Sequence, residues 1–276
     1  LTDLDDARGE ALAATLRAAG HDALYLHQDV TDEARWAEVI ASIEAKHGRL
    51  DVLVSNAGIA IMKPLLDMSL DEWRRQNAVN LDGVFLSVKY AIPAMRRAGG
   101  GSIIMMSSIA GIRGSAGLAG YSASKGAVRL FAKSVALECA GARDGIRCNS
   151  VHPGVIETDI WQKMPQGSPG GRNAPVDARQ LAANIVPLGE AGTAADIAAG
   201  EVTQRYEEIK EAYAVTQRGN RIQKIRAFEN AQQLEQDAKR FYITKKGVVL
   251  VTATTYIVLN LLADLAYFAA NPRLRH

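Results

Sequence analysis

Short apolar runs alternate along the chain with longer stretches in which apolar residues recur every three or four positions. Apolar runs end at Ser55, Ser108 and His152, and glycine or polar residues bound each of them. Short continuous apolar runs are typical of strands buried on both faces of a parallel sheet. An amphipathic stretch over residues 7–19, closed by Gly20, is typical of a surface helix. The alternation predicts an α/β fold built on a parallel sheet.

Two residues with complementary chemistry, Tyr121 and Lys125, begin a stretch with helical periodicity. Residues four apart on a helix share a face, so the phenol and the ammonium are expected side by side. A free phenol has a pKa of about 10 and is a poor base at neutral pH, but a nearby cation lowers that pKa. Such a tyrosine can take a proton from an alcohol or give one to a carbonyl. The same spacing also fits a tyrosine and a lysine that lie on the surface of a helix without a catalytic role.

Hydroxyl groups end the strand that precedes this helix. Ser108 stands thirteen residues before Tyr121, and Ser107 is a competing hydroxyl. The carboxyl end of a parallel strand faces the crevice in which open α/β sheets bind ligands. Small and polar residues also follow other strands or lie in helical stretches, namely Asn56-Ala57-Gly58, Asn80 and Pro153-Gly154 with Thr158.

In order and spacing, these segments resemble the short-chain dehydrogenase/reductase family. The segments that carry the resemblance are Asp29-Val30, Ser55 to Gly58, Asn80, Ser107-Ser108, Tyr121 to Lys125 and Pro153-Gly154 with Thr158. The resemblance covers residues 1–198 and implies a Rossmann-like, doubly wound parallel sheet. Residues 89–97 and 149–156 look most like NAD-dependent alcohol and hydroxysteroid dehydrogenases, including cyclopentanol dehydrogenases.

The resemblance implies a role for each catalytic residue. Tyr121 is the general acid and base, and Lys125 lowers its pKa and binds the nicotinamide ribose. Ser108 orients the substrate oxygen, and Asn80 holds a water that serves as a proton relay. Asn80 could instead simply bond helix backbone. His152 is expected to form a pocket wall rather than a second base.

The resemblance also implies the cofactor contacts. Asp3 resembles the acidic residue that ends the second strand of the family, where a carboxylate binds the adenosine ribose and repels a 2′-phosphate. This favours NAD over NADP. The alternative is a helix cap, which Asp5 or Asp6 would fill at least as well. Further cofactor contacts are expected from Asp29, Val30, Asn56, Ala57, Gly58, Tyr121, Lys125, Pro153, Gly154, Ile156 and Thr158.

The two ends of the chain depart from the family pattern. Leu1 begins what resembles the end of the second strand, and no glycine-rich turn opens a helix after a strand. That turn normally supplies the helix N-terminus that holds the pyrophosphate. We therefore expect a truncated dehydrogenase domain over residues 1–198 that lacks its first strand and its glycine-rich turn.

Two segments are expected after this domain. Residues 199–246 are charged and glutamine-rich, with apolar spacing that predicts a helical hairpin or short coiled coil. Residues 247–276 hold an apolar run, 247–270, flanked by basic residues and long enough to span a bilayer. The stretch 256–275 resembles the last membrane helix of bacterial peptide-transporter permeases. The apolar run is thus predicted to be a helix in contact with a membrane or, alternatively, a buried helix replacing a lost strand.

Composition narrows the remaining choices. The net charge is only +2 and no nucleic-acid recognition motif occurs. Two cysteines without zinc spacing indicate a reduced, cytoplasmic body and no metal site. The expected substrate is a small alcohol or ketone, covered by a mobile loop over residues 165–175. The family resemblance implies a homo-oligomer built on the helices near 70–97 and 121–140.

Two other functions stay open at this stage. One is reduction of a 3-oxoacyl thioester with NADPH, which would favour a basic residue near the ribose rather than Asp3. The other is a membrane-tethered protein without catalytic activity. Replacement of Tyr121 separates the alcohol dehydrogenase and the thioester reductase, which would both lose activity, from the protein without catalytic activity.

Overall fold

The computed structural model describes residues 1–162, 176–198 and 249–252. The strands are β1 (Thr2–Asp3), β2 (Leu26–His27), β3 (Val52–Ser55), β4 (Gly101–Met106), β5 (Ile146–Val151) and β6 (Val249–Thr252). The helices are α1 (Asp6–Ala18), α2 (Glu33–His47), α3 (Leu70–Asn77), α4 (Gly83–Ala98), α5 (Ala119–Ala142), α6 (Ala178–Ile185) and α7 (Ala194–Ala198). Neighbouring strands pair in parallel in the order β2-β1-β6-β3-β4-β5. The predicted α/β fold with a doubly wound parallel sheet is confirmed.

Helices cover both faces of the sheet. On one face, α2, α4 and α5 contribute Trp36, Met95 and Val128, which are fully buried. The indole Nε1 of Trp36 donates to the carbonyl oxygen of Val30 at 2.9 Å, so this large side chain buries no unpaired donor. On the other face, α1 packs Leu12 and its apolar neighbours on β3. Both faces of the central strands are therefore dry, which explains their continuous apolar sequence.

Strand register brings the carboxyl ends of β3, β4 and β5 to one edge of the sheet. Ser55 lies opposite Met105, and Met106 lies opposite Val151. The residues that follow these strands therefore leave the sheet side by side. This edge collects the loops that carry the predicted site.

The long helical stretch around Asn80 contains a change of helix type. Helix α3 passes into a π-helical segment, Ala78–Asp82, which passes into α4. A π-turn adds a residue to the helix and is often found at functional sites. Asn80 lies fully buried in this segment. The helical prediction for this region is confirmed, but the π-turn was not foreseen.

The predicted apolar helix over 247–270 is wrong for Val249–Thr252, which form β6. This strand lies between β1 and β3, with Val249 opposite Val52 and Thr252 opposite both Ser55 and Thr2. A run rich in β-branched residues suits a strand, and this position offers backbone partners on both sides. β6 thus joins the pair β1–β2 to the strands β3, β4 and β5 in one continuous sheet.

Other predictions fall outside the described residues. These are the helical segment 199–246, the substrate loop 165–175, and residues 253–276, on which the permease resemblance falls. Within the described parts of the chain, no helix is both long and apolar enough to cross a membrane.

Candidate active site

Ser108 and Tyr121 meet at the carboxyl edge of the sheet. Ser108 follows β4 and caps a short 3₁₀ turn, Ile109–Gly111, where its Oγ accepts from the backbone nitrogen of Ala110 at 3.1 Å. Tyr121 lies in the first turn of α5 and shares a hydrogen bond with the Ser108 side chain. The structure thus brings together the two hydroxyls that the sequence places thirteen residues apart.

The neighbouring hydroxyl has a different partner. Ser107 Oγ donates to the backbone carbonyl of Lys125 at 2.8 Å and is buried. Gly111 closes over this contact, since a Cβ atom there would lie 2.6 Å from the same carbonyl oxygen. Ser107 therefore joins the end of β4 to α5, whereas Ser108 faces the phenol.

Lys125 lies behind the phenol in an almost solvent-free position. The residue is 3% exposed, and its Nζ donates to the carbonyl oxygen of Met106 at 2.7 Å. Nζ lies 5.8 Å from the ring centroid of Tyr121. Burial lowers the pKa of Lys125 to about 8, because desolvation penalises the ammonium. The ammonium is still the main form at neutral pH.

The pKa of Tyr121 differs from the expectation drawn from the spacing. Burial, the larger effect, raises this pKa, and the hydrogen bond to Ser108 lowers it. The four-residue spacing instead predicts that Lys125 lowers this pKa. In the structure, Ser108 is the group that favours the phenolate, while Lys125 is held by the carbonyl of Met106.

Asn80 fastens the loop that follows β3 to helix α5. Its Oδ1 accepts from the backbone nitrogen of Ile59 at 2.8 Å, and its Nδ2 donates to the carbonyl of Ile59 at 2.9 Å and to Ser124 Oγ at 3.1 Å. Ser124 Oγ in turn donates to the carbonyl of Tyr121 at 2.8 Å. Asn80 therefore bonds loop backbone and a neighbouring helix; its role toward a relay water stays a prediction.

The residues Asn56, Ala57 and Gly58 begin this loop. Asn56 and Ala57 are buried at the end of β3. A Cβ atom on Gly58 would lie 3.2 Å from Lys125 Nζ and 3.4 Å from Asn80 Oδ1. The absence of a side chain at Gly58 therefore lets the loop lie close against both polar groups.

The opposite end of the crevice is acidic. Asp3 ends β1 and accepts from the backbone nitrogen of Asp5 through Oδ1 at 3.0 Å. Asp5, not Asp3, is the N-cap of α1, with its carboxylate accepting from Arg8 nitrogen at 3.1 Å. The alternative of a helix cap at Asp3 is therefore wrong. Asp29 follows β2 and accepts from both the backbone and the hydroxyl of Thr31.

The carboxylates at this end raise the pKa of the neighbouring Tyr25. Burial raises the pKa of its phenol most, followed by its 2.8 Å hydrogen bond to Asp6. The charges of Asp6, Asp3 and Asp5 raise the same pKa further. Three carboxylates thus act together beside the end of β1.

The segment after β5 forms the third side of the crevice. His152 contacts Ser150 Oγ through Nε2 at 3.0 Å and the Ser108 carbonyl through Nδ1 at 3.3 Å, and burial lowers its pKa. Pro153 accepts from the backbone nitrogen of Ile109 at 2.9 Å. His152 therefore braces the backbone of Ser108, and its role as a wall of the pocket stays a prediction. Beyond it lie Gly154, the buried Ile156, and Thr158 before a 3₁₀ turn.

Residues 1–168 match the family model described as short chain dehydrogenase. The chain belongs to the short-chain dehydrogenase family. The match contains every predicted site residue from Asp3 to Thr158, whereas β6 lies outside it.

Curated relatives of this short-chain dehydrogenase act on CH–OH groups. This chain is 44% identical over 181 residues to cyclopentanol dehydrogenase of Comamonas testosteroni, and the similarity covers 66% of this chain and 69% of that protein. It is 43% identical over 164 residues to 3-alpha-(or 20-beta)-hydroxysteroid dehydrogenase of Mycobacterium tuberculosis, covering 59% of this chain and 61% of that protein. The chain thus belongs to a family of oxidoreductases.

A solved structure supports the same assignment. Gluconate 5-dehydrogenase from Burkholderia cenocepacia, in complex with NADP and tartrate, has a TM-score of 0.60 and 31% sequence identity. The similarity covers 70% of this chain and 72% of that one. The Rossmann-like architecture of this short-chain dehydrogenase is therefore shared with an enzyme of known structure.

One further buried polar residue, which the sequence pattern does not single out, lies near the site. Gln76, the last residue but one of α3, is fully buried and accepts from the backbone nitrogen of Ile61 at 2.7 Å. Its position four residues before Asn80, inside a helical stretch, is the signal that could have found it.

Proposed function

We propose that this short-chain dehydrogenase is an NAD-dependent oxidoreductase that interconverts secondary alcohols and ketones. The observation that carries the proposal is the hydrogen-bonded pair Ser108 and Tyr121 at the carboxyl edge of the sheet, with the Lys125 ammonium 5.8 Å from the phenol ring. Two hydroxyls that lie this close together can both bind one substrate oxygen. The relatives named for cyclopentanol and hydroxysteroids support a cyclic secondary alcohol as substrate.

Tyr121 carries the proton in this proposal. In alcohol oxidation the substrate O–H proton passes to the deprotonated Tyr121 oxygen as the C–H hydride leaves. In ketone reduction the protonated Tyr121 gives its proton to the carbonyl oxygen and becomes the phenolate. Nicotinamide, when bound, accepts or supplies that hydride. Ser108 would donate to the substrate oxygen and stabilise its developing negative charge. Because burial raises the pKa of Tyr121, its protonated form dominates at neutral pH and favours reduction.

The residues at both ends of the crevice fit a dinucleotide. Lys125, beside the surface left open by Gly58, would bind the nicotinamide ribose. Asp3 and Asp29 would bind the adenosine end. The joint negative charge of Asp3, Asp5 and Asp6 opposes a 2′-phosphate and supports NAD rather than NADP. Val30, Asn56, Pro153, Gly154, Ile156 and Thr158 are proposed to complete the cofactor contacts, with Ala57 at the end of β3.

The same acidic end argues against a 3-oxoacyl thioester reductase that uses NADPH. The gluconate 5-dehydrogenase structure was solved with NADP, so titration of this chain with both cofactors tests the preference for NAD.

We also propose a homo-oligomer built on α4 and α5. Apolar side chains stand on the outer faces of these helices: Phe85 is 47%, Leu130 66% and Leu137 75% exposed. The rings of Phe85 and Phe131 pack with centroids 6.3 Å apart, which joins the two helices into one apolar surface. Exposed apolar surface of this kind is typical of a protein interface.

Cofactor binding and turnover with one variant test the proposed function. NADH and NADPH are titrated by fluorescence, and turnover is measured with cyclopentanol and cyclohexanone. Wild-type protein should bind NADH and show turnover. The Tyr121→Phe variant should bind NADH equally well and lose turnover by about 10²- to 10⁴-fold, the usual contribution of a general acid or base. Equal turnover in both proteins would refute the role of Tyr121.

A further inference from the structure

We infer that Gln76 is a positioning residue that fixes the first turn of α5, and with it Tyr121, for the reaction proposed above. It lies one helical turn before Asn80, and both amides are fully buried. The inference rests on the proposed function for its kinetic consequences, but its structural part is independent of any activity.

Two buried amides hold the same loop at alternate residues. Asn80 exchanges two hydrogen bonds with the backbone of Ile59, and Gln76 Oε1 accepts from the backbone nitrogen of Ile61 at 2.7 Å. Gln76 and Asn80 are four residues apart on the continuous helix that includes the π-turn. The loop after β3 is therefore fixed at two points on one helix face.

The same two amides face α5 at positions four residues apart. Asn80 Nδ2 donates to Ser124 Oγ, and Gln76 Nε2 packs against Gly120, where a Cβ atom would lie 2.7 Å away. Gly120 directly precedes Tyr121, and Ser124 directly precedes Lys125. Each amide thus contacts the residue next to one of the two side chains proposed to be catalytic.

Packing alone does not explain a glutamine at this position. Gln76 Nε2 has no hydrogen-bond partner among the described residues. An unpaired buried donor is destabilising, because it has given up its hydrogen bonds to water. An apolar side chain of similar length would avoid that cost but would leave the Ile61 nitrogen without its acceptor. The hydrogen bond to Ile61 therefore accounts for the amide, and the contact with Gly120 couples the loop to the helix start.

The test compares Gln76→Met, which keeps length and removes both polar atoms, with wild type. Without cofactor, amide hydrogen exchange at Ile61 should accelerate by about tenfold or more, while Ile59, held by Asn80, keeps its protection. With cofactor and cyclopentanol, kcat should fall by about 10- to 100-fold, since a displacement of about 1 Å can cost that much. The dissociation constant for NADH should stay within about twofold of the wild-type value, because neither Ile61 nor Gly120 is a proposed cofactor contact.

A pH profile separates positioning from a general loss of stability. A displaced Tyr121 loses the Ser108 hydrogen bond that lowers its pKa, so the rise of kcat/KM for alcohol oxidation should move to higher pH. The conservative variant Gln76→Glu keeps an acceptor oxygen and, while protonated in its buried site, should restore Ile61 protection and most of kcat.

Gln28→Met is the matched control. Gln28 is also almost fully buried, and both of its amide atoms lack partners among the described residues. Its replacement should leave Ile61 exchange and the pH profile unchanged. Unchanged Ile61 exchange in Gln76→Met, or a wild-type kcat and pH profile in a variant that exposes Ile61, would overturn the inference. Wild-type protein without turnover would instead refute the proposed function. The hydrogen-exchange data at Ile61 would then be the test of whether Gln76 positions the loop and the start of α5.

Discussion

Lys125 donates a hydrogen bond from Nζ to the backbone carbonyl of Met106 at 2.7 Å, the residue that ends β4. This bond ties the ammonium to the strand that delivers Ser108, two residues later. The helix that carries Tyr121 and the strand that leads to Ser108 are therefore joined through the charged group itself. The arrangement has a cost, because the ammonium is almost completely removed from water.

The first prediction concerns stability as a function of pH. Burial lowers the pKa of Lys125 from 10.5 to about 8. Between these values the unfolded chain binds a proton that the folded one does not, so the free energy of unfolding rises with pH. Relative to Lys125→Met, wild type without cofactor should gain up to about 3 kcal/mol between pH 7 and 10.5. Denaturant unfolding across this range measures the gain.

Lys133→Met, an exposed change on the same helix, controls for the loss of a lysine. The rise of the wild-type free energy of unfolding with pH should be larger relative to Lys125→Met than relative to Lys133→Met. Equal rises in the two comparisons would mean that Lys125 is not held as a buried cation.

Some features of the site follow from sequence, and others depend on neighbours that no local pattern reveals. The spacing of Ser108, Tyr121 and Lys125 predicts their proximity, because helix and strand periodicity fix it. The source of the Tyr121 pKa could not be predicted, since burial and the partner of Lys125 are set by tertiary packing. Gln76 was missed because a single polar residue in a helix is most often solvent-exposed.

The fold shows the same division. Strands β3, β4 and β5 were predicted because their apolar runs are bounded by turn residues. Strand β6 was not, since its apolar sequence continues into 253–270 and fits a long helix equally well. Short apolar runs cannot be assigned to strand or helix by periodicity alone. Val249–Thr252 form a strand because β1 and β3 offer backbone partners on both sides, and these partners exist only in the assembled sheet.

The second prediction separates the two serines. Ser108→Ala should lower kcat by about 10²-fold or more, because it removes a donor to the substrate oxygen and the partner of Tyr121. Ser107→Ala should mainly lower the free energy of unfolding, by about 1 kcal/mol, through the lost bond to the Lys125 carbonyl. Parallel kinetics and urea unfolding measure both effects. A larger loss of kcat in Ser107→Ala would reverse the assignment.

The third prediction concerns cofactor choice. Asp3→Asn should lower the ratio of the NADPH to the NADH dissociation constant by about tenfold, equivalent to about 1.4 kcal/mol, since one of three repelling carboxylates is removed. Fluorescence titration with both cofactors gives the ratio. Asp71→Asn removes an exposed carboxylate on α3 and should leave the ratio unchanged. An equal ratio in all three proteins would mean that Asp3 does not read the ribose.

The fourth prediction concerns β6. Val251→Pro removes a backbone donor from a strand that has partners on both sides, and should lower the free energy of unfolding by about 2 kcal/mol or more. Val251→Thr keeps that donor and the β-branched shape, and serves as the matched control. If proline costs no more than threonine in urea unfolding, β6 does not fill the place between β1 and β3.

The last prediction tests the close contact between Gly120 and Gln76 by a double-mutant cycle. Gly120→Ala adds a Cβ atom 2.7 Å from Gln76 Nε2, so it should destabilise by about 1–3 kcal/mol as overpacking does. Gly126→Ala is the control on the same helix: its nearest neighbour would be 3.7 Å away, and alanine there should stabilise by about 0.5–1 kcal/mol.

The cycle is completed by Gln76→Ala, which leaves room for the new methyl group. The Gly120→Ala, Gln76→Ala double variant should therefore be more stable than the sum of the single effects predicts, by at least about 0.5 kcal/mol. Urea unfolding of the four proteins gives this coupling directly. Strict additivity would show that the amide of Gln76 does not pack closely against the start of α5, and that Gln76 does not position Tyr121 through Gly120.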